Sequence, residues 1–134
     1  MARAKREAGF RDFPGRRWLI VVLRAIHLVG LVGTGAILLG GQPFGVAQPF
    51  VLTLFCSGLA MLLADLCAAP RYLGEISGAA TLLKLLLLAW FMLDPAHRLP
   101  LFWGILVFSA LIAHAPARLR HRRLFGASAG VPHP

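Results

Sequence analysis

Acidic residues are nearly missing from this chain: five Asp and Glu stand against 14 Lys and Arg in 134 residues. Charge of either sign is thin, at 14% of the sequence, while 58% is hydrophobic. That balance excludes an ordinary soluble domain, and the mean hydropathy of +0.74 agrees. Cysteine is limited to Cys56 and Cys67. On one helix these two lie about three turns apart, too far to bridge each other, so both read as small apolar side chains. No phosphate loop, no Cys/His zinc spacing and no serine-nucleophile motif occurs. Two tails and three short connections are all that lies outside the apolar runs, which leaves no room for a soluble catalytic domain.

What the chain does have is long apolar runs. Four of them, at residues 18–40, 49–67, 76–93 and 101–117, match the roughly 17–25 residues an α-helix needs to cross a hydrocarbon core of about 30 Å. The run after Arg17 is too long for the apolar core of a cleaved signal peptide, which predicts a retained first span. Gly40-Gly41-Gln42-Pro43 reads as a breaker turn, and Pro49 suits the first turn of the second span. Connections this short predict antiparallel neighbours and an all-α, up-down-up-down bundle of four transmembrane helices. The organisation expected is a basic arm at 1–17, a membrane bundle at 18–117 and a basic tail at 118–134.

The net charge of +9 is distributed as a topology signal. Arg3, Lys5, Arg6, Arg11, Arg16, Arg17, Arg71, Arg118, Arg120, Arg122 and Arg123 fall on one side of the spans, and Arg98 alone on the other. Loops rich in Lys and Arg stay in the cytoplasm, so both termini are expected there. The same residues are placed to attract anionic lipid headgroups. No aromatic stacking surface accompanies them, which argues against nucleic acid.

Within the spans the polar residues are few. His27 and Lys84 each lie nine residues inside a span, roughly 13 Å deep at about 1.5 Å per residue. His114 lies four residues before Arg118 and is shallower, and Asp65 approaches the same end of the second span. An ionisable group at such depth costs a few kcal/mol unless it meets a partner, a cofactor or water. Ser77, Thr81, Lys84 and Leu88 share a helical face, which points Lys84 into the bundle, where Asp65, a haem propionate or a lipid phosphate could pair with it. His27, Gly30 and Thr34 share a face of the first span, with Gly33 beside them. Small residues there suit either a close helix seam or a flat ligand beside an imidazole; a proton relay is the third reading of His27. Arg24 can snorkel to the surface. Met61 and Met92, without a Met-x-x-Met or Cys-x-x-Cys pair, read as core filler, and His97, His121 and His133 as solvated.

Leu23-Arg24-Ala25-Ile26-His27-Leu28 with Gly30 and Gly33, and Gly78 with Leu82-Leu83-Lys84-Leu85-Leu86, resemble the first- and third-span signatures of the copper-resistance D family of bacterial inner-membrane proteins. They are similar also to those of small haem-synthesis proteins of the J type. The likeness covers residues 23–93. It implies a bacterial inner-membrane protein in which His27 and Lys84 belong to a haem or porphyrin site. On this basis His27, His114, Lys84, Gly30 and Thr34 are the candidate cofactor-binding residues. His27 and His114 are the candidate axial ligands of haem b, with copper as the alternative metal. A different class of function is an accessory subunit of a larger energy-transducing membrane complex, associated with other membrane subunits or with itself; copper transport is the third.

The charge asymmetry makes the topology testable. Reporter fusions at Gly126 should be active only in the cytoplasm, and fusions within 96–99 only in the periplasm. A periplasmic C-terminus would overturn the orientation.

Overall fold

The computed structural model describes residues 13–120; the arm before Phe13 and the tail after Arg120, with His121 and His133, lie outside the described residues. Four helices account for nearly all of it: α1 at Arg16–Leu39, α2 at Phe44–Ala68, α3 at Ile76–Leu93 and α4 at Arg98–His114, followed by a single turn, α5, at Ala117–Arg120. All four main helices are long and apolar enough to cross a bilayer. The chain is an all-α four-helix bundle and a multi-pass membrane protein.

Sequence explains each break. After α1, Gly41 takes φ +67°, a left-handed conformation that glycine adopts at no steric cost. Gly41 N–H then bonds Leu38 O at 3.3 Å and Gln42 N–H bonds Ile37 O at 3.1 Å, which satisfies carbonyls a helix end would leave open. Pro43 starts the next helix from extended backbone. Thus α2 begins at Phe44, and Pro49 falls inside it rather than in its first turn as the sequence reading expected. A proline here removes one backbone donor near the helix start, a smaller loss than at mid-helix. At the other end of the chain, α4 starts earlier and stops earlier than expected. Pro100 fits its first turn, which needs no backbone donor. Ala115, forced into extended backbone (ψ 140°) by Pro116, ends it.

Packing is uneven. The α1–α2 seam is the tightest. A Cβ on Gly30 would come within 2.8 Å of the Leu54 nitrogen and 2.9 Å of the Phe50 carbonyl oxygen, so the two backbones nearly touch. Gly33 receives the Phe50 ring in the same way. Helix α3 packs on α2 and α4. The bundle closes where the Phe102 ring of α4 rests on Gly35 of α1. The core of Ala47, Val51, Leu54, Leu88, Phe91 and Phe102 sits toward the end of the bundle away from the described termini. Arg98 fastens that end. Its guanidinium lies 3.4 Å from the centroid of the Phe44 ring and donates to Phe91 O at 3.3 Å and Met92 O at 3.4 Å. Nearby, hydrogen bonds from His97 and then Trp90 hold the Asp94 carboxyl below the usual carboxylate range. At the opposite end Arg16 of α1 pairs with Asp65 of α2 at 2.8 Å.

The backbone contact at Gly30 predicts a specific sensitivity. Gly30→Ala should lower thermal stability in detergent by about 1–3 kcal/mol through overpacking. Gly104→Ala, where nothing lies within 4 Å, should be neutral or stabilising. Equal midpoints for the two variants would contradict the seam.

Candidate functional site

A cavity of about 380 Å³ that all four helices line runs from the level of Arg24 and Asp65, near the described termini, to that of Thr34, Phe91 and Phe102. That volume falls within the range of small-molecule and cofactor sites, about 300–1,000 Å³. Its polar lining is Arg24 and His27 from α1, Asp65 from α2, Thr81 and Lys84 from α3 and Ser109 from α4. Leu31, Leu88, Phe91, Phe102 and Ile105 form its apolar floor. Because successive helices run antiparallel, the cations lie toward the termini end and the phenylalanines toward the other. The cavity is therefore amphipathic along the bundle axis.

His27 and Lys84, the two deep residues singled out in the sequence, meet in this cavity. Thr34 lines it too, although its hydroxyl is committed to Gly30 O at 2.7 Å. Gly30 does not line it; the space its missing side chain leaves is filled by the α2 backbone. His114 does not line it either. It is exposed at the last turn of α4, so the structure does not bring the two histidines together as a pair of facing ligands. Lys84 is half-buried and forms no ion pair among the described residues. Asp65, one of the three partners weighed for it beside a haem propionate and a lipid phosphate, is held by Arg16. That choice follows from position, since Asp65 is near the C-terminal end of α2 and Arg16 begins α1.

Two residues that sequence reasoning set aside belong to the site. Arg24 was left to snorkel, yet it lines the cavity three residues before His27, one turn nearer the surface. Nothing in the sequence singles out Ser57. Its Oγ lies 2.9 Å from His27 Nδ1. The neighbouring Gly58 leaves room for the ring, since a Cβ there would come within 3.3 Å of His27 Cε1. An i+1 Ser-Gly pair opposite a buried histidine is a signal only when helix register is known. Met61, read as filler, also lines the cavity wall.

The donor set decides which groups suit the cavity. Among the described residues no three His, Cys, Asp or Glu side chains gather as a metal-ion site. A bare copper ion would meet one imidazole and little else suited to it beyond the Met61 thioether. A haem brings four nitrogens of its own and asks the protein for one axial donor, cations for two carboxylates and an apolar enclosure. His27, Lys84 with Arg24, and the leucine–phenylalanine floor supply those three things.

An ammonium with no carboxylate partner makes a clear stability prediction. Lys84→Met should raise the thermal midpoint of the ligand-free protein, by up to about 2–3 kcal/mol, the cost of a lysine at span depth. A lowered midpoint would mean that Lys84 already has a stabilising partner.

Comparison with protein-family models, with characterised proteins and with solved structures finds no match to this chain.

Proposed function

We propose that this chain is a small membrane-embedded haem b protein of the bacterial inner membrane, with both termini in the cytoplasm, serving electron transfer or cofactor handling. The observation that carries this reading is one cavity holding a deep imidazole, two cations and an apolar floor. In this reading His27 would hold the haem iron, and Lys84 and Arg24 would neutralise the haem's carboxylates. Thr34, Leu88 and Phe91 exclude water from the inner end. The bound group would supply one-electron chemistry. Arg17 and Arg118, exposed at the same end, would rest among anionic headgroups.

Haemin titration of detergent-purified protein tests it. The wild type should gain a Soret band at one haem per chain, and His27→Ala should lose it. His114→Ala should leave the spectrum unchanged, because His114 is outside the cavity. A colourless wild type, or an unaltered band in His27→Ala, rejects the reading.

A second reading has its own observation. Along α4 only Phe102 is buried, and Trp103, Val107 and Leu111 are exposed. An accessory subunit of a larger membrane complex would cover that face with protein. Stoichiometric co-purification with other membrane subunits, without haem, favours it.

A further inference from the structure

Helix α2 carries a ladder of hydroxyls. Thr53 Oγ1–H donates to Pro49 O at 2.8 Å. One turn on, Ser57 Oγ–H faces Thr53 O at 2.7 Å and Leu54 O at 3.1 Å. A serine hydroxyl has one proton and two lone pairs. Two oxygens 2.7 Å apart with no proton between them repel, so that proton lies toward the backbone carbonyls. Ser57 Oγ therefore offers His27 only a lone pair. The contact with His27 Nδ1 at 2.9 Å is then a hydrogen bond that the imidazole donates.

We propose that Ser57 is a positioning residue which fixes His27 as the Nδ1–H tautomer, leaving the Nε2 lone pair as the ring's contribution to the cavity. The site then selects ligands that offer an electron-pair acceptor: a metal centre such as haem iron, or an O–H or N–H donor. It disfavours a carbonyl or carboxylate oxygen at the imidazole and leaves those groups to Lys84 and Arg24. Gly58 supports the same arrangement, because a side chain there would crowd Cε1 at 3.3 Å and Nδ1 at 3.7 Å. The identity of the ligand as haem rests on the proposed function above; the tautomer does not. Hydrogen bonds to the far nitrogen set the tautomer and orientation of ligating histidines generally, and their loss costs about 10–100-fold in affinity.

The test reads the tautomer directly. In ligand-free protein labelled with ¹⁵N-histidine, the His27 signals are those lost in His27→Gln. Nδ1 should resonate as a protonated, pyrrole-type nitrogen and Nε2 as an unprotonated, pyridine-type one. Ser57→Ala should move the proton toward Nε2, the tautomer free imidazoles favour in water, and Ser57→Thr, which keeps the hydroxyl, should restore the wild-type pattern. In haemin titrations Ser57→Ala should weaken binding about 10–100-fold and Ser57→Thr should recover it. A wild-type ring protonated at Nε2, or at both nitrogens, overturns the proposal, and this needs no variant to fold. An unchanged tautomer in Ser57→Ala overturns the role of Ser57. Protein that shows the Nδ1–H tautomer yet binds no haemin supports the positioning role and removes haem as the ligand.

Discussion

Hydrocarbon neither donates nor accepts hydrogen bonds, so each polar group on a membrane span needs a partner within the bundle. Four hydroxyls on the described spans obey that constraint locally. Thr34, Thr53, Ser57 and Thr81 each bond the carbonyl four residues earlier on their own helix. The imidazole of His27 has no such local acceptor and finds Ser57 across the α1–α2 seam. Arg16 and Asp65 resolve each other at the bundle end. Lys84 and Arg24 are left over, and both line the one cavity that all four helices share. These two cations of the described spans thus face one place.

The seam determines how well that place is built. Glycines at 30 and 33 let α1 and α2 approach until backbone meets backbone and the Phe50 ring fills the gap. Such contact fixes the rotation of α1 against α2, and rotation is what brings His27 within 2.9 Å of Ser57. With Phe91, Phe102 and Leu54 packed at the other end, the unfilled volume runs from the level of Arg24 and Asp65 down to those side chains. The small side chains that the sequence offered as ligand space thus serve the site indirectly. They set the wall against which the imidazole stands, and the cavity opens on its other side.

The spans, their order and the two deep residues were legible in the sequence because each depends on a local quantity: length of apolar run, position of breakers, depth along a helix. Depth, however, says nothing of azimuth. His114 and Arg24 both sit within about a turn or two of the interface, yet only Arg24 faces the cavity. Pro116 ends α4 so close to His114 that the ring stands at the frayed edge of the bundle. Of the three partners weighed for Lys84, Asp65 is taken by Arg16, which the antiparallel turn between α1 and α2 brings to the end of α2. Ser57 was invisible for want of register between two helices, which only the packed seam supplies.

The same unevenness bears on how any ligand would reach the cavity. Three of the four junctions between its walls are tied: α1 and α2 by the seam, α2 and α3 through the core, α3 to the start of α4 through Arg98. The remaining junction, α1 with α4, closes on the Phe102 ring against Gly35. Local opening costs least where the fewest buried contacts are broken, and here that is the side of α4 beyond Phe102, where Ile105 and Ser109 line the cavity. A wall of this kind reconciles a rigid histidine with an accessible site: the helix pair that orients His27 need not move when the opposite helix does. It is also the helix held by the fewest buried residues of the four, Phe102 alone.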